Sequence, residues 1–237
     1  MRMRVALNDY ARKRLRMAAM GLPADLDPLG ATSPWLVPVD RLAAEAAAEG
    51  RGFDSLAHYD YLSLARHPEV LAAAKKAIDD HGVGVGASRL IGGERTIHQA
   101  FEREISDFLG TEAALLIGSG YLVNLSLVPH LVGAGDLVIL DELAHSSALH
   151  GAKATRATVR TFRHGDMDHL ESILAAERDA HGFCLVVGEG LYSMDGDAID
   201  LPRLVELKRR WDAWLMIDEA HSIGVLGETG RGIAEFH

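Results

Sequence analysis

Short, continuously apolar runs alternate with longer segments of helical periodicity along most of the chain. The apolar runs cover residues 113–117, 137–140, 159–162, 183–187 and 214–217. The helical segments cover residues 68–81, 96–109, 121–131, 145–153, 166–180 and 201–211. A strand that is apolar at every position needs cover on both faces, which helices provide in parallel sheets. The pattern therefore predicts an α/β fold with a mostly parallel sheet flanked by helices.

The N-terminal part of the chain lacks this alternation. Residues 8–20 predict a helix, and a loop that contains four prolines follows it. A further helix is predicted over 42–49, where alanine and glutamate dominate, and Gly50 ends it. We expect residues 1–66 to form an N-terminal arm with a small-domain segment, and residues 67–237 to form one large domain.

Charge and cysteine content narrow the functional classes. The 237 residues include 24 Lys and Arg against 34 Asp and Glu, a formal net charge of −10. Nucleic-acid binding requires clustered basic side chains, so this acidic balance argues against it. The single cysteine, Cys184, excludes an internal disulfide and a cysteine-based zinc site, and its apolar neighbours predict a buried core residue. No apolar stretch approaches the roughly 20 residues of a membrane span, and we expect a cytoplasmic protein.

Polar residues follow the apolar run at three predicted strand ends, in 141–147, 189–196 and 218–222. Two of these ends resemble each other, because each continues into Asp-Glu and then into His145 or His221. Ligands of open parallel sheets bind outside the carboxyl ends of the strands. We therefore expect the two endings to lie on adjacent strands and to bring imidazoles and carboxylates to one site.

The spacing at these two endings argues against two other chemistries. Neither ending has a His-Glu-x-x-His or His-x-Asp pattern, so they do not predict a metal site. Residues 218–221 also spell the Asp-Glu-Ala-His box of a helicase group, which requires an upstream Gly-x-x-x-x-Gly-Lys-Ser/Thr loop. None of the five lysines lies in such a loop, and the helicase hypothesis is rejected.

A phosphate site is predicted where the first apolar run meets the helix that follows. Gly118, Ser119 and Gly120 form a turn there, and Tyr121 begins the helix. Such a junction directs free backbone N–H groups and the positive end of the helix dipole towards an anion. An ordinary strand-to-helix turn is the alternative. Together with the two strand endings, this turn indicates a phosphorylated cofactor whose ring lies between them.

Eight short stretches, taken in order, carry a family resemblance. They lie at residues 59–64, 66–68, 88–93, 97–98, 119–124, 141–145, 192–196 and 218–232. The last two are the most specific. In content and order the eight stretches resemble the α-oxoamine synthase family of fold-type-I pyridoxal-phosphate (PLP) enzymes. The resemblance covers roughly residues 55–237 and implies that the large domain is the PLP-binding domain of an aspartate aminotransferase-like fold.

The resemblance implies a role for four residues at the cofactor ring. Asp218 would pair with the pyridine nitrogen of PLP, and His145 would stack on the ring. His221 and Ser193 would lie at the phenolic oxygen. His145, Asp218 and His221 are the expected catalytic residues.

Further contacts are implied around the phosphate and the substrate. Asp60, His98 and Asn124 fall near the substrate in the family pattern, without a firm role. The remaining implied cofactor contacts are Ser119, Gly120 and Tyr121.

The implied activity is a decarboxylative Claisen condensation that requires PLP. An amino acid reacts with an acyl thioester, carried by CoA or by an acyl-carrier protein, and carbon dioxide leaves to give an α-amino ketone. Active sites of this family lie at the interface of a homodimer, so a homodimer is implied as well.

The chain departs from the family pattern in two places. The family's Schiff-base lysine lies further along than His237, where the chain ends. We therefore expect the sequence to be the N-terminal portion of a longer enzyme, incomplete at the C-terminus of its large domain. Asp60 stands where the family usually has asparagine, which leaves the amino-acid substrate open.

Two alternatives remain open. A subunit without the lysine would be a non-catalytic partner, although it would have no physical need for His145, Asp218 and His221. Another fold-type-I enzyme, such as an aminotransferase, would share the sheet and the cofactor. The motifs at 193–196 and 218–221 favour the synthase.

Overall fold

The computed structural model of the chain describes residues 39–50 and 59–237. They belong to two units, one ending at His58 and one beginning at Tyr59. The described part of the first unit contains the helix α1 (Val39–Ala48), which confirms the helix predicted over 42–49. The predicted helix at 8–20 and the proline-rich loop lie outside the described residues, and the predicted domain division stays a prediction.

From residue 137 onwards, strands and helices alternate along the second unit in the predicted order. The strands are β1 (Leu137–Asp141), β2 (Thr158–Phe162), β3 (Cys184–Glu189) and β4 (Trp214–Asp218). The helices are α2 (Pro68–His81), α3 (Thr96–Leu109), α4 (Gly120–Leu131), α5 (Ser146–Lys153), α6 (Met167–Glu177), α7 (Leu201–Arg210) and α8 (Ile233–Phe236). Short 3-10 helices lie at Leu64–Arg66 and Arg178–Ala180, and a π-helical turn lies at Arg89–Gly93.

Local chemistry explains where several helices begin and end. α2 starts with Pro68, whose missing N–H costs no hydrogen bond at a first helical position. The side chains of Asp166 and Asp200 accept backbone N–H groups at the starts of α6 and α7. Gly110, with a φ of 68°, ends α3 in the left-handed conformation that glycine tolerates best.

The four strands form one parallel sheet in the order β2-β1-β3-β4. This confirms the predicted α/β class with a parallel sheet flanked by helices. The expectation that the strands before His145 and His221 are adjacent is wrong, because β3 lies between β1 and β4. The chain leaves β1 for the edge strand β2 and then crosses back past β1 to reach β3.

Alternate residues of the inner strands pack into two separate apolar layers. Leu137 and Ile139 of β1 lie in one layer with leucines of α6 and α7. Val138 and Leu140 lie in the other layer with apolar residues of α4 and α5. Both layers are fully buried along β1, which is why this run is apolar at every position. The predicted core position of Cys184 is confirmed, since it is buried and burial raises the pKa of its thiol to about 11.

The same pleat sends the carboxylates at the strand ends to different faces. Side chains two residues apart on a strand share a face. Glu189 and Asp218 follow Val187 and Met216 and so face α4 and α5, whereas Asp141 follows Ile139 and faces α6 and α7. Glu189 and Asp218 are also direct neighbours in the register of β3 and β4.

The carboxyl ends of β1 and β3 flank the point where the chain reverses its direction across the sheet. β1 connects outward to β2 on one side, and β3 connects onward to β4 on the other. Open α/β sheets bind their ligands in the crevice at such a switch point. The topology therefore assigns the ligand site to this edge of the sheet.

The apolar run at 113–117 was expected to be a strand, and this prediction is wrong. Within the described part of the chain, these residues have no strand partner. Side chains bind the backbone instead: the Leu116 N–H donates to a Glu102 carboxylate oxygen at 2.7 Å, and its carbonyl accepts from Arg89 at 2.9 Å. Leu115 is 73% exposed, so the segment also lacks the burial that a central strand has.

Among the described residues, no helix has the length and apolar character needed to cross a membrane.

The close packing of α5 on α4 gives a first prediction. A Cβ on Gly151 would lie 2.5 Å from the Asn124 carbonyl oxygen and 3.2 Å from the Val128 Cβ. Alanine usually stabilises a helix by about 1 kcal/mol relative to glycine, but here we expect Gly151→Ala to destabilise the protein by about 1–3 kcal/mol through overpacking. Urea denaturation measures this. Gly84→Ala is the control, because a Cβ there meets nothing within 4 Å.

A Gly151→Ala variant that is as stable as the parent, or more stable, would show that α4 and α5 are not in the close contact described.

Candidate functional site

A cavity of about 410 Å³ opens at the carboxyl edge of the sheet. This size lies within the range of about 300–1,000 Å³ typical of small-molecule sites. Its walls come from the start of α4, the start of α5 and the ends of β3 and β4. The lining residues are Gly120, Tyr121, Val123, Asn124, Leu127, His145, Ser147, Glu189, Met216, Ile217, Asp218, Glu219, Ala220 and His221.

The N-terminus of α4 forms one side of the cavity. Ser119 is the N-cap, and its hydroxyl accepts the backbone N–H of Leu122 at 3.5 Å. A Cβ on Gly120 would meet nothing within 4 Å, so the space beside this glycine is open, and Gly120 and Tyr121 both line the cavity. The predicted anion site is thus a helix N-terminus that lines a cavity.

Asn124 of α4 holds the carboxylate of Asp218 in place. Its Nδ2 donates to Asp218 Oδ2 at 2.8 Å and to Ser147 Oγ at 3.0 Å. The other Asp218 oxygen accepts the backbone N–H of Ala220 at 3.0 Å. Asn124 is only 5% exposed. Through its two hydrogen bonds, its amide joins α4, α5 and β4 at the wall of the cavity.

His145 is the N-cap of α5 and stands at the cavity mouth. Its Nδ1 lies 2.6 Å from the Ser147 hydroxyl. The Tyr121 ring meets the imidazole edge to face, with centroids 6.1 Å apart. The ring is therefore held at Nδ1 by Ser147 and packed against Tyr121.

His221 follows β4 and is oriented by two tyrosines. The Tyr61 hydroxyl lies 2.6 Å from His221 Nδ1. The Tyr59 ring packs against the imidazole edge to face at 5.3 Å. These tyrosines lie in a stretch that carried the family resemblance, but their contact with His221 is visible only in the folded chain.

Glu189 lines the cavity and was missed as a site residue. It is 4% exposed, and the backbone N–H groups of Ser193 and His145 are the nearby donors that favour its charged form. Burial and then the negative charge of Asp218 outweigh these hydrogen bonds and raise the pKa of Glu189 to about 7. The available signal was a carboxylate that ends an otherwise apolar run.

Six predicted residues come together in this cavity, and four lie elsewhere. Those that line it are Gly120, Tyr121, Asn124, His145, Asp218 and His221. Ser119 caps α4 beside it, and Ser193 is exposed on the loop after β3. Asp60 accepts the backbone N–H groups of Leu64 and Ala65, and His98 Nδ1 accepts the N–H of Arg95 at the start of α3. The functional roles predicted for these ten residues stay predictions.

The cavity has two sides of opposite electrostatic preference. Asp218, beside Glu189, favours a cationic group, whereas the α4 N-terminus favours an anion. A ligand with a protonated ring nitrogen and a phosphate satisfies both sides, and PLP carries these two groups. The residues present therefore fit the cofactor that the sequence motifs imply. Among the described residues, no group of three metal-ligating side chains is placed to hold an ion.

Comparison with known proteins agrees with this geometry. A sequence profile of the family "aminotransferase class I and II" matches residues 55–235. The 8-amino-7-oxononanoate synthase of Geobacter sulfurreducens is 47% identical over 192 residues, which are 81% of this chain and 49% of that protein. The corresponding enzyme of a Methylobacterium species is 46% identical over 193 residues, covering 81% of this chain and 51% of that protein.

Solved structures show the same likeness. Serine palmitoyltransferase of Sphingomonas wittichii superposes with a TM-score of 0.71 at 38% identity, over 75% of this chain and 44% of that one. A serine palmitoyltransferase variant from S. paucimobilis, with a bound PLP–myriocin aldimine, gives 0.72 at 36% identity over the same shares.

The chain belongs to the aminotransferase class I and II family. Its relatives and structural neighbours confirm the predicted place among the α-oxoamine synthases and the fold-type-I architecture. The chain spans about half the length of the curated relatives it matches.

The raised pKa of Glu189 gives a second prediction. Between its ordinary pKa of 4.5 and about 7, the native state binds a proton that the unfolded state has released. As pH rises through this window, the free energy of unfolding of the cofactor-free protein should therefore fall, by at most about 3 kcal/mol. Glu189→Gln should make this decline clearly smaller, and denaturation at a series of pH values measures it.

The exposed Glu112→Gln serves as the control and should keep the decline. Equal slopes in Glu189→Gln and the parent would contradict a protonated Glu189.

Proposed function

We propose that the protein that contains this chain is a PLP-dependent acyltransferase. It condenses an amino acid with an acyl thioester, releases carbon dioxide and forms an α-amino ketone. The observation that carries the proposal is the shared cavity of the Asp218 carboxylate and the α4 N-terminus. The family membership and the named activities of the relatives support it.

The cavity residues divide the binding of PLP between them. Asp218 would accept a hydrogen bond from the protonated pyridine nitrogen, and Asn124 keeps that carboxylate aimed into the cavity. The backbone N–H groups of Gly120 and Tyr121 would bind the phosphate at the start of α4. The face of His145 would cover the ring. When bound, PLP supplies an electron sink that stabilises negative charge on the Cα of the amino acid.

His221 would act at the phenolic oxygen through Nε2, because the Tyr61 hydroxyl lies 2.6 Å from Nδ1 and occupies that nitrogen. A hydrogen on Nε2 would be donated to the oxygen and would stabilise negative charge on it. Ser193 would support the same oxygen from the loop after β3.

The assembly and the location stay proposals as well. We propose a homodimer, and exposed apolar side chains on α2, on α3 and on the segment that connects them support it. These residues are Val70, Leu71, Ile78, Val83, Leu90, Ile91, Ile97 and Phe101. A surface of this kind usually marks a protein interface. Sedimentation equilibrium tests the dimer, and fractionation of cells tests the proposed cytoplasmic location.

A thiol assay tests the reaction. Incubation of the PLP-loaded protein with an amino acid and an acyl-CoA should release free CoA thiol together with carbon dioxide. An aminotransferase would instead convert the amino acid into an oxo acid without releasing thiol. Amino-group transfer without thiol release would overturn the proposed condensation in favour of that alternative.

Asp218→Asn should lower turnover by about 100-fold or more, because an amide cannot hold the positive ring nitrogen as a carboxylate does. Steady-state kinetics measure this, and titration with PLP should show weaker binding. Asp79→Asn, on the exposed surface of α2, is the control and should leave both unchanged. Turnover near that of the parent in Asp218→Asn would contradict the assignment of the ring nitrogen.

A further inference from the structure

His164, in the loop after β2, lies between two carboxylates from different parts of the chain. Its Nδ1 is 2.9 Å from Asp141 Oδ1, at the end of β1. Its Nε2 is 2.8 Å from Asp197 Oδ2, in the loop after β3. Both distances are those of direct hydrogen bonds, which leaves no space for a cation between the groups.

The partners of Asp141 show that its oxygens act as acceptors. Asp141 is 2% exposed. Oδ1 accepts the backbone N–H of Leu143 at 2.8 Å, and Oδ2 accepts that of Gly165 at 3.1 Å. Since a carboxylate has no hydrogen of its own to donate, Nδ1 of His164 must carry the hydrogen in the bond to Oδ1.

The same argument applies at the other ring nitrogen. The side chain of Asp197 is half exposed, and one of its carboxylate oxygens lies 2.8 Å from Nε2. A neutral imidazole donates from only one nitrogen, whereas an imidazolium donates from both. Burial opposes a charge on His164, but the hydrogen bonds and charges of Asp141 and Asp197 outweigh it and raise its pKa.

The other groups around the ring are neutral or bound elsewhere. The Tyr192 ring contacts the imidazole edge to face at 4.4 Å. Burial and the nearby Asp141 charge raise the pKa of the Tyr192 hydroxyl, so it stays uncharged. The Glu142 carboxylate accepts the backbone N–H of His164, and Arg163 pairs with Asp166. Asp141 and Asp197 are thus the two charges that face the ring nitrogens directly.

The two carboxylates belong to loops that lead to the cavity. The Asp141 carbonyl accepts the N–H of Ala144, which closes the turn before His145. The Asp197 carbonyl accepts the N–H of Tyr192 at 2.9 Å, and a bridge joins Leu191 to Ala198. Ser193 lies within this second loop.

We propose that His164 is a positioning residue, an imidazolium that ties Asp141 to Asp197 and so fixes the loops that carry His145 and Ser193. It acts from the face of the sheet opposite the cavity and has no contact with the reacting atoms. The part that concerns cofactor binding rests on the proposed function. The tie is complete while His164 is protonated, and it is lost as pH rises through the raised pKa.

Nitrogen NMR of the histidine side chains tests the protonation directly and needs no cofactor. In ¹⁵N-histidine protein, both ring nitrogens of His164 should carry hydrogen at neutral pH. The resonance is assigned by its loss in His164→Gln, or by its shift in Asp197→Asn should His164→Gln fail to fold. Asp197→Asn should lower the titration midpoint of His164, whereas Asp195→Asn, on the same loop, should not.

A PLP titration at a series of pH values tests the positioning. The parent should lose affinity at alkaline pH as the tie is released. Asp197→Asn should bind PLP several-fold more weakly at neutral pH and should show this loss at a lower pH. Asp195→Asn should follow the parent.

The two measurements separate the two proposals. A single protonated nitrogen on His164 at neutral pH, or an unchanged midpoint in Asp197→Asn, would overturn the imidazolium tie even in a protein that binds PLP. If His164 is protonated on both nitrogens and Asp197→Asn binds PLP as tightly as the parent at every pH, the positioning role is overturned. Failure of the parent itself to bind PLP, with the NMR result as expected, would count against the proposed function and leave the tie in place.

Discussion

Burial of β1 and β3 on both faces is the constraint on which the rest of the structure depends. A strand covered by helices on each side has no place for an unpaired polar side chain along its length. Polar groups can follow only where the strand leaves the sheet. Because all four strands are parallel, these exits lie at one edge. The cavity at that edge is therefore a consequence of how the sheet is covered.

Three carboxylates end strands at this edge, and each is stabilised differently. Asp218 accepts hydrogen bonds from Asn124 and Ala220 and faces the cavity. Glu189, next to it in register, has its charge opposed by burial and by Asp218, which raises its pKa to about 7. Asp141 faces the other side of the sheet and pairs with His164. An unpaired buried charge is costly in low dielectric, so Asp218 and Asp141 each have hydrogen-bond donors, whereas the charged form of Glu189 is disfavoured.

The similarity between the endings of β1 and β4 is only partly reflected in the structure. His145 and His221 line one cavity, as the pattern predicted. Their preceding aspartates do not share it, because Asp141 follows the opposite face of the pleat. Local sequence identity cannot reveal this, since the face of a residue depends on the register of its strand and on which helices cover each side.

Local periodicity was enough to predict the α/β class and four of the strands. The family resemblance, carried by short motifs of neighbouring residues, implied six of the cavity residues. Residue patterns did not predict that 113–117 lacks strand pairing or that Glu189 belongs to the site. They also did not predict that Tyr61 orients His221 or that His164 joins two loops. Those features are contacts between segments far apart in the chain, such as the 160 positions between Tyr61 and His221. Only the packing of the sheet and its helices brings such segments together.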